Sequence, residues 1–123
     1  MRLFGIRGAT TAKANTPEDI LSETTKLLQE LIFLNNLTED KVVSIIFTTT
    51  PDLNAEFPAK ACRMLGWHNT ALLGAVEADV PHGVKRCIRI LIHAYLDSSA
   101  KLRPVYLNEA VNLRPDLSRG KSQ

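Results

Sequence analysis

Short apolar runs with the length of β-strands recur along the chain. They occupy residues 2–6, 42–47, 70–76, 87–94 and 105–107. By composition the fourth run suits a helix or a strand, but Ile88, Ile90 and Ile92 fall at alternate positions, which favours a strand. One face of this strand should pack on a core, and the other should present Arg89 among apolar neighbours. We expect the segment Gly8-Ala9-Thr10-Thr11 to turn the chain after the first strand.

Apolar side chains at helical spacing predict two main helices. The first begins at Thr16-Pro17, where threonine suits the N-cap and proline the first helical position, and it ends near Asn35-Asn36. This helix connects the first two strands in a β-α-β order. A shorter helix is expected over residues 59–65, closed by Gly66, and residues 108–113 suit one more helical turn. The predicted fold class is α/β, or mixed α+β, with about five strands in a mixed sheet.

Length and composition indicate a single domain. The chain has 123 residues, of which 45% are apolar and 23% charged, close to the averages of soluble domains and too few for a second core. No apolar stretch is long enough to cross a bilayer, and the N-terminus does not resemble a signal peptide, so we expect a cytoplasmic protein. We assign residues 1–117 to the domain and residues 118–123 to a flexible C-terminal tail.

The distribution of charge argues against a nucleic-acid partner. The net charge is +2, and the last ten residues account for all of it, so residues 1–113 are neutral, with 12 charges of each sign. Residues 60–113 hold seven basic and four acidic groups, so this part of the chain could accept a small anion.

The sequence contains none of the common motifs for nucleophilic catalysis, metal binding or phosphate binding. Cys62 and Cys87 fit no zinc-ligand spacing and are expected to be buried free thiols. The candidates for chemistry are therefore ionic side chains in apolar surroundings, namely Arg7, Arg89 and Glu77. A buried arginine pairs with an acidic side chain or with a ligand, and the pattern alone leaves both possibilities open.

Five segments, taken in order, carry a family resemblance. They are Gly5-Ile6-Arg7-Gly8-Ala9-Thr10-Thr11, Thr50-Pro51-Asp52-Leu53, Phe57-Pro58-Ala59-Lys60-Ala61 with Arg63, Cys87-Ile88-Arg89, and Val105-Tyr106-Leu107 followed by Ala110-Val111 and Leu113-Arg114-Pro115-Asp116-Leu117. In order and in spacing, they resemble the AroH class of chorismate mutases over nearly the whole chain. The resemblance implies a pseudo α/β-barrel homotrimer in which each active site lies between two subunits.

The reaction implied by the resemblance is the conversion of chorismate to prephenate, on the route to phenylalanine and tyrosine. It is a [3,3] rearrangement within one molecule, and such an isomerase needs no nucleophile, metal or cofactor, in agreement with the missing motifs. The enzyme would hold chorismate in its compact conformation and stabilise the negative charge that grows on the ether oxygen. Because chorismate carries two carboxylates, fixed cations are expected in the site.

The same resemblance implies a set of site residues. Arg89 would contact the ether oxygen and one carboxylate, Arg7 would bind a carboxylate and help to hold Arg89, and Glu77 would accept a hydrogen bond from the ring hydroxyl. We expect these three to be the catalytic residues. The implied substrate-binding residues are Tyr106, Arg63, Phe57, Lys60, Leu73, Gly74 and Leu113.

This sequence departs from the AroH pattern between Arg63 and Glu77. It is one residue shorter there, and the pair that reads Thr-Cys in the class appears as Leu73-Gly74. The thiol near the ring hydroxyl is therefore missing, although the backbone N–H of Gly74 could serve because glycine permits close approach. Lys60 is expected to steer the substrate rather than to take part in the chemistry.

A second function class competes with the enzyme. A non-catalytic trimeric module that holds a small carboxylate metabolite, as in the imine-deaminase (YjgF-like) group, has a comparable architecture. Such a module would need Arg7 and Arg89, but it has no use for Glu77, which would repel an anion. A structural reading of Glu77 is an ion pair with Lys85 or Arg86.

Overall fold

A computed structural model describes residues 1–113. Its elements are β1 (Arg2–Thr11), α1 (Pro17–Leu34), β2 (Val42–Thr49), α2 (Lys60–Met64), β3 (Ala71–Val76), β4 (Cys87–Leu96) and β5 (Val105–Tyr106), with 3-10 turns at Glu39–Lys41 and Asn108–Asn112. The five strands form one mixed sheet, which confirms the predicted fold class. The tail predicted at residues 118–123 lies outside the described residues, and so do the last four residues assigned to the domain.

The order of strands across the sheet is β3-β2-β4-β1-β5. The central strand β4 is antiparallel to β1 on one side and to β2 on the other. The strands joined by α1 are therefore parallel but not adjacent. The pairs Thr11↔Cys87, Thr49↔Ile88 and Thr49↔Val76 bring the ends of β1, β2 and β3 together with the start of β4 at one end of the sheet.

The first strand is longer than predicted, and the expected turn at residues 8–11 is wrong. A Cβ atom on Gly8 would lie only 2.8 Å from Cδ1 of Leu31 and 3.1 Å from Cδ1 of Leu27. Gly8 therefore allows α1 to approach the sheet closely, a use of glycine within a strand that differs from its use in turns. Beyond Gly8 the chain continues as a buried strand, and Thr10 is fully buried.

Helix α1 covers one face of the sheet. It begins as predicted, because the Thr16 hydroxyl accepts a hydrogen bond from the Asp19 N–H at 3.1 Å and Pro17 occupies the first turn. Its inner side consists of buried Ile20, Thr24, Leu27, Leu28 and Leu31. The three leucines pack on the buried side chains of β1, β2 and β4, which form the main core, whereas Ile20 packs in a smaller cluster with Ile88.

The opposite face of the sheet is largely uncovered among residues 1–113, and only at the end near Cys87 does the second 3-10 turn pack on it, where Ala110 meets Ala9 and Cys87. Along β4, Ile88, Ile90 and Ile92 are buried toward the helices, which confirms the predicted alternation, whereas Arg89 and Leu91 are exposed. Leu3, Leu73, Leu91 and Tyr95 are large apolar side chains exposed in the sheet, and pairing places Leu3 beside Tyr95. The structure confirms that Cys62 and Cys87 are buried free thiols. No helix among the described residues is long and apolar enough to span a membrane.

Candidate active site

A cleft of about 350 Å³ opens on the uncovered face of the sheet. It lies at the end of the sheet where β4 begins and where β1, β2 and β3 end. Five of the predicted site residues line this cleft together, and they are Arg7, Glu77, Arg89, Tyr106 and Leu113. The sheet thus gathers residues that are far apart in the sequence into one small volume.

The two arginines are positioned by strand pairing. Arg89 pairs with Ala9 of β1, whereas Arg7 pairs with Leu91, so the arginines lie diagonally on neighbouring strands. Because side chains alternate along a strand, both project from the uncovered face. Tyr106 extends the same row, since it pairs with Ala9 on the other side of β1.

Glu77 connects the end of β3 to Arg89. Its backbone N–H donates to the Thr49 carbonyl at 2.8 Å, which fixes the residue directly after the strand. Its Oε2 atom lies 3.4 Å from Nε of Arg89 and also accepts a hydrogen bond from the Thr48 hydroxyl. The ion pair is therefore with Arg89, on the floor of the cleft, rather than with Lys85 or Arg86.

The pair between Arg89 and Glu77 remains accessible to a ligand. The exposed fraction is 50% for the Arg89 side chain and 26% for that of Glu77. A solvent-accessible pair of this kind adds at most about 1 kcal/mol to stability. The contact uses Nε of the guanidinium, which carries four further N–H groups that can be directed at an anion.

Thr48 is a site residue that the sequence analysis missed. It lines the cleft and holds the carboxylate of Glu77. Its Cα pairs with that of Arg89 across the sheet, so its hydroxyl is in the same row. The available signal was the alternation in β2, in which Thr48 has the opposite parity to the buried residues Ile45 and Phe47.

The remaining predicted residues do not reach this cleft within one chain. Phe57 and Gly74 line a second cleft of about 440 Å³. Gly74 pairs with Phe47, whose side chain lies in the core on the helix side, so this second cleft is on the other side of the sheet from Arg89. Leu73 is exposed on the edge strand β3.

Helix α2 carries the last two predicted residues, Lys60 and Arg63. Nζ of Lys60 lies 3.1 Å from Oε1 of Glu56 in an exposed ion pair on the solvated side of the helix. Hydrogen bonds from Lys60 and from the backbone N–H of Phe57 lower the pKa of Glu56. Neither basic residue lines the cleft that contains Arg89.

The chemistry available in the first cleft is electrostatic. Residues 1–113 contain no group of three or more histidine, cysteine, aspartate or glutamate side chains placed to hold a metal ion. Burial raises the pKa of both cysteine thiols to about 11, so neither is a ready thiolate nucleophile. Two fixed cations, one carboxylate and a phenol on an apolar floor suit a small anionic molecule that also carries a hydroxyl group.

Comparisons with known proteins agree with this geometry. Residues 3–117 match the family model for chorismate mutase type I. The chain is 44% identical to the chorismate mutase AroH of Bacillus subtilis (strain 168), over 99% of this chain and 98% of that protein. It is also 44% identical to the chorismate mutase AroH of Thermus thermophilus, over 92% of this chain and 94% of that protein.

A solved structure gives the same result. The chorismate mutase from Clostridium thermocellum superposes with a TM-score of 0.84 at 49% sequence identity, over 87% of this chain and 96% of that one. Sequence and fold therefore agree with the resemblance carried by the five segments. The chain belongs to the chorismate mutase type I family, and it is an isomerase.

Proposed function

We propose that this chain converts chorismate to prephenate in the cleft that contains Arg7, Glu77 and Arg89. The observation that carries the proposal is the Glu77 carboxylate paired with Arg89 at 3.4 Å inside an otherwise cationic cleft. A module that only binds a carboxylate metabolite would lose affinity from this negative charge. Chorismate instead offers a ring hydroxyl that can donate a hydrogen bond to Glu77.

The proposed mechanism needs no covalent intermediate and no proton transfer. The C–O bond of the ether breaks while a C–C bond forms within the same molecule. Arg89 donates to the ether oxygen as negative charge accumulates there, and its charge persists because a guanidinium is not deprotonated in proteins. One preorganised donor of this kind lowers the barrier by about 3 kcal/mol.

The other residues hold chorismate in the conformation from which it reacts. Arg7 and the Tyr106 hydroxyl bind its carboxylates, and Leu113 forms an apolar wall. Glu77 accepts from the ring hydroxyl and balances positive charge on the ring system as the ether bond breaks. Positioning of this type is effective because the reacting ends belong to one flexible molecule.

The charges in the cleft favour a site shared between two chains. Within one chain, Arg7 and Arg89 supply two positive charges and Glu77 one negative charge. Chorismate is a dianion, so a further cation would complete the balance. Arg63 and Lys60 are basic residues that the cleft of their own chain does not use, and a neighbouring subunit could supply them.

We propose a homotrimer on the same grounds. Leu3, Leu73, Leu91 and Tyr95 are apolar side chains exposed in the sheet, and covering them would add burial that a domain of this size lacks. Phe57 and the Gly74 backbone would then join the cleft from the second subunit. We further propose that the protein acts in the cytoplasm, without a cofactor and without a nucleic-acid or membrane partner.

The first experiment measures loss of chorismate absorbance on addition of the purified protein, beside the Arg89→Ala variant. Acid conversion of the product to phenylpyruvate identifies prephenate. We expect rapid loss with the wild type and near-background loss with the variant. Chorismate that stays unchanged with a folded wild-type protein would rule out the enzyme and leave carboxylate binding.

A second experiment tests whether the site is shared. Arg89→Ala and Arg63→Ala each disable one proposed half of the site. If the two variants are unfolded together, mixed in equal amounts and refolded, about one quarter of the sites should regain both intact halves. Activity that stays at the level of the separate variants would place the whole site within one chain.

A further inference from the structure

Tyr106 lies on the shortest strand of the sheet. Strand β5 consists of Val105–Tyr106 and pairs with β1 only through Gly8↔Val105 and Ala9↔Tyr106. The next backbone N–H, that of Leu107, donates to the Ala9 carbonyl at 2.9 Å. Two paired residues hold a strand only weakly, since even isolated hairpins are marginally stable, and the strand has one further anchor in the buried side chain of Val105.

Asn108 fastens this segment immediately after the strand. Its Nδ2 atom lies 2.9 Å from Oε1 of Glu23, 3.0 Å from the Thr11 carbonyl and 3.1 Å from the Thr10 hydroxyl. A carbonyl and a carboxylate can only accept hydrogen bonds, so the nitrogen of the amide must face them. The amide has two hydrogens for three acceptors, and one hydrogen is therefore shared.

The groups that receive these hydrogen bonds belong to the rigid part of the fold. Thr10 is fully buried in β1, and the Glu23 side chain on α1 is only 12% exposed. The Thr11 hydroxyl adds a hydrogen bond from the N–H of Glu109 at 3.2 Å. The chain after Tyr106 is thus tied to a strand and a helix within three residues.

The backbone of Asn108 also has a special conformation. Its φ angle is 54°, in the left-handed region that asparagine tolerates better than most residues other than glycine. The residue therefore combines two properties, a backbone that turns away from β5 and an amide that reaches Thr10 and Glu23. Glycine would keep the first property and lose the second.

We propose that Asn108, together with Glu23, is a positioning residue for Tyr106. It touches neither the cleft nor the substrate, and it acts by holding the two-residue strand so that the tyrosine hydroxyl points at a carboxylate of the ligand. This inference rests on the proposed function. It predicts that loss of the Asn108 amide weakens substrate binding through Tyr106 and leaves the rearrangement step nearly unchanged.

The decisive variant is Asn108→Asp, which keeps the size and backbone tolerance of asparagine but places a carboxylate against Glu23. Loss of the hydrogen bond with added repulsion should raise KM for chorismate about tenfold, with kcat changed by less than about threefold. Adding Glu23→Gln places an amide at residue 23 that can donate a hydrogen bond to the new carboxylate at residue 108. KM of the Asn108→Asp/Glu23→Gln double variant should be at least about threefold lower than that of Asn108→Asp, but the Thr11 carbonyl, which can only accept, should keep it above the wild type.

A double-mutant cycle separates positioning from general destabilisation. In a Tyr106→Phe background the hydroxyl is already gone, so Asn108→Asp should then raise KM by less than about threefold. Asn108→Gly gives a second readout if the aspartate variant folds poorly, because it retains the left-handed backbone. Val42→Ala, which opens a cavity in the core beside Ala94, five residues along β4 from Arg89, is the control for lost stability without a change in KM.

The outcomes distinguish this inference from the proposed function. If Tyr106→Phe raises KM but Asn108→Asp and Asn108→Gly do not, the positioning role is wrong and the function stands. An equal effect of Asn108→Asp in both backgrounds would also overturn it, since a structural defect does not depend on the hydroxyl. If Tyr106→Phe itself leaves KM unchanged, the proposed role of Tyr106 fails first.

Discussion

Replacing Thr48 by valine tests how Glu77 is held in the cleft. Valine has nearly the shape of threonine, so the variant removes the hydroxyl that donates to Oε2 of Glu77 and little else. That oxygen also lies 3.4 Å from Nε of Arg89. Without the hydroxyl, the carboxylate is fixed by the arginine alone and can rotate away from the position that receives the ring hydroxyl.

The size of the effect follows from the contacts. A hydrogen bond to a charged group contributes about 1.5–3 kcal/mol. The Glu77 side chain is 26% exposed, so water can replace part of the lost interaction and the lower end of this range applies. A loss of about 1.5 kcal/mol in transition-state binding corresponds to a decrease of about tenfold in kcat/KM.

The assay is the initial rate of chorismate loss over a range of substrate concentrations. Thr48→Ser is the matched control, since serine retains the hydroxyl, and it should keep kcat/KM within about threefold of the wild type. In a Glu77→Gln background, Thr48→Val should cost much less, because the charged acceptor is already absent. If Thr48→Val is as active as the wild type while Glu77→Gln is impaired, the Thr48 hydroxyl does not position the carboxylate.

Three further predictions concern stability. Gly8→Ala should lower the free energy of unfolding, measured by urea titration, by about 1–3 kcal/mol, because the added Cβ would lie 2.8 Å from Leu31. Gly5→Ala is the control and should lower it less, because its Cβ would lie 3.6 Å from the nearest atom. Burial opposes ionisation of Asp52, yet hydrogen bonds from a neighbouring hydroxyl and from the N–H of Arg86 lower its pKa below the ordinary 3.8. Because Asp52 is exposed and water screens these contacts, Asp52→Asn should destabilise the protein by less than about 1 kcal/mol at neutral pH. The difference from wild type should shrink as the pH falls through this lowered pKa, and an unchanged difference in acid would contradict the prediction. The pKa of the two buried thiols is raised from 9.0 to about 11, so above pH 9 the unfolded chain loses these protons while the folded protein keeps them. The urea concentration at the unfolding midpoint should therefore decrease as the pH rises from 9.0 to about 11.

Local signals in the sequence predicted the elements of the fold well. Thr16 and Pro17 mark the start of α1 through chemistry that acts within one turn, and the alternation of isoleucines in β4 reflects a face that is buried along its whole length. The turn predicted at Gly8 was wrong, because the sequence does not distinguish a glycine in a turn from a glycine that allows a helix to approach a strand closely. The position of β4 between β1 and β2 depends on pairing between distant segments, which no local pattern encodes.

The sequence predicted only part of the site, because the site also depends on pairing between distant segments. Arg7 and Arg89 stand out as charges among apolar residues, and the family resemblance adds Glu77 and Tyr106. Thr48 was not predicted, because a threonine near the end of a strand is common. Only the pairing with Arg89 brings its hydroxyl to Glu77. Some predicted site residues, such as Phe57, lie away from the cleft of their own chain. That they line the cleft of a neighbouring subunit stays a prediction.

The central place of β4 has a consequence for how the chain reaches its native state. Strands β1 and β2 come early in the sequence, yet neither hydrogen-bonds the other. Strand β2 can pair first with β3, whereas β1 has no strand partner before residues 87–96. The pairing of Arg2 with Leu96 closes nearly the whole described chain into one loop. Folds dominated by such distant pairings form slowly, because the entropy of closing the loop is lost before most contacts are gained. During synthesis the complete sheet can therefore assemble only after β4 has left the ribosome, and β1 stays without a strand partner until then.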